Sequence, residues 1–373
     1  MTPYESVLSW PGRRRRMLQL ISHIVRTSSK RDRTEINAAL IDAMADLFRP
    51  DALTIYRCYA SGRKTVVFSC AGIRRDGAFV HNAYLPDRRY CHPLDEDPLL
   101  SRCKREKSVC LDVLPDGANR LAFPVIQFDQ LVYIIDVTVP SDFSADQRVL
   151  LMGVTEYFGN HIGLLDYGET DTLTTLANRK TFDKHLFELL GRGGHGDDGS
   201  RTTPSTPRRR RLIGGGAHHW LAVCDIDRFK AINDTYGHLI GDEVLVTLSQ
   251  LMRQAFRFDD QLFRFGGEEF VIVLQPASRE DASGVLERFR ASVEGHRFSR
   301  VGHITVSVGC SRLRPHDTPA DVIDRADEAL YYCKENGRNR VAMHEHLVEC
   351  GELAARDART GEIELFEGPV EAA

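Results

Sequence analysis

The run Gly-Gly-Glu-Glu-Phe at residues 266–270 constrains this chain more than any other feature of its sequence. It lies between two short apolar runs, residues 261–265 and 270–274, which predict the strands of a β-hairpin. The glycines allow the tip to take positive φ and to approach a ligand without a Cβ clash. Glu268 and Glu269 concentrate negative charge at that tip, which is costly unless a cation neutralises it. We therefore expect a Mg²⁺ ion there, of the kind that holds a nucleoside triphosphate.

A second apolar run, residues 220–223, predicts a buried strand that leads into Asp225. Carboxylates at the carboxyl end of a strand in an α/β sheet commonly bind metals and ligands. The chain then turns into a predicted helix. At the start of that helix, Lys230 and the backbone N–H groups of Arg228 and Phe229 are expected to face phosphate oxygens.

Two polar side chains in the same region, Asn233 and Asp242, flank the stretch Tyr-Gly-His-Leu-Ile-Gly. An amide can donate or accept, and a carboxylate can accept from N1 and the exocyclic amine of guanine. The pair therefore indicates recognition of a guanine base.

Further motifs follow a fixed order along the chain. They are Asp-Thr-Leu-Thr at 171–174, Leu-Ala-Asn-Arg at 176–179, Ile-Thr-Val-Ser-Val-Gly at 304–309 and the helical run at 326–339. Together with the segments above, residues 171–343 resemble the GGDEF domain, the catalytic domain of diguanylate cyclases, with Glu in place of its first acidic residue. One departure is Thr175, where the family usually has Gly. We expect Thr175 to affect how the preceding helix enters the domain and to leave the active site unchanged.

The resemblance implies a role for each position. The metal ligands would be Asp225, the carbonyl of Ile226, and Glu268. Glu269 would assist the reaction, by metal contact or by helping to activate the 3′-hydroxyl, so that Glu268 and Glu269 form the catalytic pair. The cofactor would be Mg²⁺, two ions per active site, with Mn²⁺ as a possible substitute. The substrate-binding residues would be Asn233 and Asp242 at the guanine, and Arg228, Phe229, Lys230, Lys334 and Arg338 at the triphosphate.

The implied reaction condenses two GTP molecules into cyclic di-GMP and two pyrophosphates. Its physical basis is positioning plus neutralisation of phosphate charge. Because each domain would hold one GTP, two domains must face each other, and the resemblance implies a homodimer.

Arg257 and Asp260 have the spacing Arg-x-x-Asp, and five residues, 261–265, separate Asp260 from Gly266. In the GGDEF family this motif in this register forms the site at which product inhibits, and Arg288 would supply a second arginine from a facing domain. Cyclic di-GMP would then be an allosteric inhibitor. The alternative is a solvated turn, because Arg and Asp are common on protein surfaces.

Residues 1–168 predict a sensory domain. A helix at 34–48, strands at 53–59 and 65–69, and a hairpin formed by 120–126 and 131–137 resemble a GAF domain, with a PAS domain as the alternative. The expected fold class is therefore α/β (α+β): a GAF-like antiparallel sheet with flanking helices, followed by a nucleotidyl-cyclase-like GGDEF domain whose central sheet is surrounded by helices. A small ligand of unknown identity would bind the first domain.

Within that first domain, Ser144 and Gln147 predict a capping box at the start of a long exit helix. The apolar positions of this helix recur at steps of three and four, and they predict a dimeric coiled coil, with packing on the domain's own sheet as the alternative. These positions are Leu151, Val154, Phe158, Ile162 and Leu165.

Cys91 and His92 are adjacent in a predicted lid loop at 84–100. Adjacent side chains rarely share one metal, so an ordinary loop is the favoured interpretation.

The length of 373 residues predicts about two domains. The expected boundaries are 1–168 for the sensory domain, 169–345 for the GGDEF domain and 346–373 for an acidic tail. Residues 191–216 predict a disordered insertion rich in Gly, Ser, Thr and Pro.

The net charge is −4, and the nine cysteines have no CxxC spacing, as is typical of reduced thiols. No apolar run is long enough for a membrane span. We expect a cytoplasmic protein without a nucleic-acid partner. Two alternatives to a cyclase are a non-catalytic nucleotide receptor and a structural dimer module.

Overall fold

The computed structural model describes residues 11–61, 64–74, 77–81, 86, 88–127, 129–193 and 217–354. Two β-sheets organise these residues, one of seven strands and one of six, each flanked by helices. The predicted mixture of helices and sheets is confirmed. In the described part of the chain, no helix is both long enough and apolar enough to cross a membrane.

The N-terminal sheet consists of β1 (Ala52–Ser61), β2 (Lys64–Arg74), β3 (Gly77–Val80), β4 (Cys91–Pro93), β5 (Cys110–Val113), β6 (Asn119–Gln127) and β7 (Gln130–Val139). The strands lie in the order β3-β2-β1-β7-β6-β5, and β4 pairs with another part of β2. The pairings are antiparallel, as the sequence predicted. Cys91 and His92 thus lie on a paired strand rather than in a lid loop.

Helices cover both faces of this sheet. They are α1 (Pro11–Ser28), α2 (Arg33–Phe48), α3 (Pro98–Glu106) and α4 (Ala145–Glu169). Because side chains alternate along β7, Ile135 packs into the core formed with α2 and α4, whereas Ile134 packs with Leu99 and Leu100 of α3. The sheet is therefore buried on both sides.

The exit helix α4 begins with the predicted capping box. Its apolar seam, however, packs in the core of its own domain, with α2 and the sheet. Leu151, Phe158 and Ile162 are at most 1% exposed. The prediction that this seam forms a dimeric coiled coil is wrong, because the same stripe is needed to cover the sheet. The exposed apolar side chains of α4 are others, such as Val149 and Leu164.

The C-terminal sheet consists of β8 (Ala177–Asn178), β9 (His218–Ile226), β10 (Gln261–Gly266), β11 (Glu269–Ala277), β12 (Val306–Arg312) and β13 (Val341–Met343). Their order is β13-β12-β9-β11-β10-β8. The predicted hairpin is β10–β11, with antiparallel pairing. Strand β9 is central, between β11 and β12, and is antiparallel to both.

Six helices surround this sheet: α5 (Arg179–Gly193), α6 (Phe229–Tyr236), α7 (His238–Ala255), α8 (Arg279–Gly295), α9 (Pro319–Glu335) and α10 (His344–Glu349). Ala222 and Cys224 of β9 face α6, α7 and α8, whereas Leu221 and Val223 face α5 and α9. The period of two along a strand then places Asp225 on the α9 face.

Two predicted segments fall partly outside the described residues. Helix α5 continues to Gly193, and residues 194–216 of the predicted insertion are not described. Helix α10 carries the described structure past residue 345, where the sequence suggested a tail, and residues 355–373 are not described.

The two halves of the chain contact each other at polar residues. Lys184 of α5 pairs with Asp32, the N-cap of α2. Arg33 is 2% exposed and pairs with Asp166 and Glu169 at the end of α4. The start of α2 is thus joined both to α5 and to the end of the exit helix.

Gly309 of β12 allows α9 to pack closely on the sheet. A Cβ at this position would lie 2.1 Å from the backbone nitrogen of Leu330 and 2.2 Å from the carbonyl oxygen of Ala326. We predict that Gly309→Ala lowers the free energy of unfolding by about 2–3 kcal/mol, because α9 must move off the sheet. Gly284→Ala on α8, where a Cβ meets nothing within 4 Å, is the control and should be neutral or stabilising by up to about 1 kcal/mol. Urea unfolding followed by circular dichroism measures both, and equal midpoints would contradict the prediction.

Candidate active site

A row of polar side chains crosses three strands at one end of the C-terminal sheet. Asp225 of β9 pairs directly with Glu269 of β11 on one side and with Ser307 of β12 on the other. Directly opposed residues share a face and have Cβ atoms about 5 Å apart. Glu268 precedes β11 in the turn of the hairpin, so the structure brings the three predicted carboxylates to one edge.

The turn of the hairpin is built by its two glycines. Gly266 and Gly267 have φ of 150° and 53°. Arg264 holds the turn by donating to the carbonyl of Gly267 from Nη2 at 2.9 Å, and its Nη1 donates to Asp171 at 2.9 Å. Sequence reasoning identified Asp171 as part of a motif and missed Arg264, because nothing local links residues 93 positions apart.

The carboxylates repel one another. Asp225 is 5% exposed, and burial raises its pKa, while Lys334 opposes the shift and Glu269 and Asp227 add to it. Burial also raises the pKa of Glu268, and Asp225 raises it further. The ionised forms are therefore disfavoured in the folded protein, and the edge of the sheet favours a cation.

One cation is supplied by the protein itself. Lys334 of α9 places its Nζ 3.0 Å from Oδ2 of Asp225. The sequence predicted that Lys334 faces the triphosphate, and the structure places it at Asp225, the predicted metal ligand. Its side chain is 34% exposed, so it remains accessible to a ligand at this edge.

Among the described residues, no group of three or more His, Cys, Asp or Glu side chains is arranged to hold a metal. The predicted ligand set does not require such a group of three side chains, because it combines two carboxylates with the main-chain carbonyl of Ile226. Hard oxygen ligands of this kind suit Mg²⁺, which usually retains waters and binds substrate phosphates as well. The raised pKa values of Asp225 and Glu268 fit a site that a divalent cation would complete.

The predicted guanine-reading pair lies on α6 and α7. A Cβ at Gly241 would lie 2.0 Å from Oδ1 of Asn233, so the Asn233 side chain packs against Gly241. Gly241 immediately precedes Asp242. Asp242 is exposed, as a base-reading carboxylate must be.

The predicted triphosphate-binding groups lie around the start of α6 and the end of α9. Arg228 is the N-cap of α6, with φ of 60°, and Lys230 is exposed, whereas the Phe229 side chain is buried in the core. Arg228 and Arg338 line a common cavity of about 430 Å³. The structure thus brings together two arginines that are 110 positions apart.

The Arg-x-x-Asp motif lies at the junction of the two domains. Arg257 is exposed, and it shares a cavity of about 470 Å³ with Arg88 of the N-terminal domain. Asp260 accepts from the backbone N–H groups of Arg257 at 2.9 Å and of Gln275 at 3.0 Å, so it closes the turn. Arg288 is exposed on α8.

The junction also contains contacts that sequence reasoning missed. Arg88 donates to both oxygens of Asp259, which is 2% exposed, and the longer bond is 2.7 Å. The rings of Tyr59 and Phe258 lie 5.7 Å apart. The two middle residues of the motif therefore bind the N-terminal domain.

Comparison with known proteins agrees with this geometry. Residues 210–340 match the family model described as diguanylate cyclase, GGDEF domain. This segment of the chain is similar to a GGDEF domain.

Relatives of the GGDEF domain carry cyclase names. Diguanylate cyclase DgcZ of Escherichia coli is 45% identical over 124 residues, which are 32% of this chain and 42% of that protein. Diguanylate cyclase A of Treponema denticola is 35% identical over 188 residues, 49% of this chain and 46% of that protein. The chain thus spans less than half the length of these two curated relatives.

A solved structure is also similar. The GGDEF domain of DgcB from Caulobacter crescentus, in complex with c-di-GMP, is 34% identical, and the match covers 48% of this chain and 96% of that one, with a TM-score of 0.39.

The carboxylate cluster predicts a stability effect in the absence of metal. Because the pKa of Glu268 is raised in the folded protein, ionised Glu268 lowers the free energy of unfolding at neutral pH. Glu268→Gln should therefore raise the thermal midpoint in EDTA, and Glu243→Gln, at an exposed position on α7, should leave it unchanged. A midpoint lowered by Glu268→Gln, measured by scanning calorimetry, would show that Glu268 stabilises the fold instead.

Proposed function

We propose that this chain is a diguanylate cyclase that condenses two GTP molecules into cyclic di-GMP and two pyrophosphates. The observation that carries the proposal is the pairing of Asp225 with Glu269 at the end of the sheet, with Glu268 in the adjoining turn. The GGDEF family match and the cyclase names of the relatives support it.

In the proposed reaction, the 3′-oxygen of each GTP attacks the α-phosphorus of the other. Each attack forms a 3′-O–P bond and breaks the bond between the α-phosphorus and the bridging oxygen, so that pyrophosphate leaves. Glu269, the exposed carboxylate of the pair, would take up the proton of the 3′-hydroxyl. Bound Mg²⁺, coordinated by Asp225, the carbonyl of Ile226 and Glu268, would neutralise phosphate charge.

Substrate recognition follows from the same arrangement. Asn233 and Asp242 would hold guanine, while Lys334 and Arg338 would face the triphosphate. One domain holds one GTP, so the working enzyme would be a homodimer with two facing domains.

The N-terminal domain is proposed to be a GAF-like sensor. Its antiparallel sheet, covered on both faces by helices, supports this proposal. A ligand would act by shifting the population of productive dimers. The polar contacts of Asp32 and Arg33 with α5 and α4 offer a route for that signal. Scattered cysteines without CxxC spacing support a cytoplasmic location.

Product inhibition at the Arg-x-x-Asp motif is proposed as well. Arg257 is exposed on a cavity that a second arginine, Arg88, also lines. The guanidinium of Arg257 suits a phosphodiester ligand, whereas that of Arg88 is paired with Asp259. Arg288 would contribute from a facing domain.

The direct test incubates the purified chain with Mg²⁺ and GTP and detects cyclic di-GMP by chromatography. A parallel reaction contains a cyclic di-GMP phosphodiesterase, which removes inhibitory product. Formation of the dinucleotide or its linear form supports the proposal. If neither reaction yields product, titration with GTP and cyclic di-GMP distinguishes an inactive dimer from a receptor.

Loss of either catalytic carboxylate should abolish synthesis. We predict that Glu268→Ala and Glu269→Ala each lower kcat by at least about a hundredfold, because both groups act on the transition state. Glu243→Ala is the control for removal of one negative charge from the same domain. Unchanged circular dichroism would show that the fold is intact, and full activity in either variant would remove its assigned role.

Arg257 should matter for inhibition and not for chemistry. We predict that Arg257→Ala raises the concentration of cyclic di-GMP that halves the rate by about tenfold or more, which corresponds to roughly 1.4 kcal/mol. Initial rates without product should stay at the wild-type level. Arg297→Ala, another exposed arginine of the domain, serves as the control. An inhibition curve identical to that of the wild type would eliminate the proposed inhibitory site.

A further inference from the structure

The turn that carries Arg338 has a strained backbone. Gly337, Arg338 and Asn339 have φ of 104°, 63° and 47°. Three successive residues thus lie in a region that L-amino acids rarely adopt. Strain of this kind persists only where the surrounding structure over-determines it. The position of Arg338 therefore depends on the anchors on either side of it.

The main anchor is Asp227, which is 8% exposed. Its Oδ2 accepts from the backbone N–H of Asn339 at 3.0 Å and from the hydroxyl of Thr305 at 2.6 Å. Its Oδ1 accepts from the hydroxyl of Ser307 at 2.7 Å. Through three hydrogen bonds, one carboxylate thus joins the turn to Thr305, just before strand β12, and to Ser307 within it.

Asn339 is held on its other side as well. Its Oδ1 accepts from Nη1 of Arg290 at 2.7 Å, and its Nδ2 donates to Glu294 at 2.7 Å. The backbone N–H of Arg338 donates to the carbonyl of Cys333 at 2.9 Å. The turn is thereby fixed between α8 and the end of β9, and Arg338 is exposed within it.

Asp227 also connects the two other elements expected to face phosphate. It follows the strand end that carries Asp225 and immediately precedes Arg228, the N-cap of α6. It lines the cavity of about 430 Å³ that Arg228 and Arg338 share. Asp227 therefore adjoins the strand end that carries Asp225 and shares a cavity with both arginines.

We infer that Asp227 is a positioning residue for the triphosphate, acting through the turn that presents Arg338. The inference rests on the proposed function, since it concerns how GTP is held. Both oxygens of Asp227 are engaged by protein donors, which distinguishes its task from that of Asp225, whose contact is a lysine.

The test compares Asp227→Ala with the wild-type full chain in steady-state assays with GTP and Mg²⁺. We expect kcat/KM to fall at least tenfold, with most of the loss in KM. Asp227→Asn keeps the size of the side chain and one carbonyl oxygen but weakens the charge-assisted bonds. Asp227→Asn should therefore also raise KM, but by less than Asp227→Ala does. If the alanine variant does not fold, the KM of the asparagine variant tests the inference, and a wild-type KM would overturn it.

A matched control separates positioning from stability. Asp317 has a side chain 8% exposed and accepts from Arg325, at the opposite end of α9. Asp317→Ala should lower the thermal midpoint by an amount similar to Asp227→Ala and leave KM unchanged. Equal KM values in the Asp227 and Asp317 variants would overturn the inference.

A double-mutant cycle tests the route through Arg338. In an Arg338→Ala background, Asp227→Ala should add little further loss of kcat/KM, because the guanidinium it positions is absent. Fully additive losses would overturn the inference. A wild-type chain that neither forms product nor binds GTP would overturn the proposed function together with this inference, whereas an active wild type with a normal Asp227→Ala variant would overturn the inference alone.

Discussion

The antiparallel pairing of β9 with β11 is the constraint on which the rest of the site depends. It places Asp225 directly opposite Glu269, and the hairpin turn adds Glu268 beside them. Three carboxylates at one edge of a sheet repel one another, and the burial of Asp225 increases the cost. The fold tolerates this because β9 is buried on both faces and cannot rearrange to separate the charges. Lys334 offsets part of the repulsion, and the remaining negative charge favours a bound cation.

Helix α9 gives the site its positive side. Close packing over Gly309 brings the helix onto the sheet, so that Lys334 reaches Asp225 and the following turn presents Arg338. The anionic and cationic halves of the site thus come from different layers of the fold. Their alignment depends on the packing of α9 on β9 and β12 and on the bonds of Asp227 to the turn.

The junction between the domains combines ion pairs with an aromatic contact between Tyr59 and Phe258. Lys184 pairs with Asp32, and Arg88 pairs with Asp259, next to Asp260 of the Arg-x-x-Asp motif. The apolar seam of α4 is used inside its own domain and is not available to a coiled coil. Because these contacts join the two domains, the proposed signal from the first domain would pass to the second through them.

The sequence alone determined the elements whose signals are local: the glycine-tipped hairpin, the strand before Asp225 and the capping box of Ser144. Each follows from the backbone preferences or the period of a few adjacent residues. Only the tertiary structure determined which elements of the fold each helix or strand face packs against. The stripe on α4 indicated a buried face but not which surface buries it, and both a coiled coil and a sheet satisfy the same spacing. The bonds of Arg264 to Asp171, of Asp227 to Asn339 and of Arg88 to Asp259 join residues 93, 112 and 171 positions apart, and no local pattern specifies contacts that only the packed layers create.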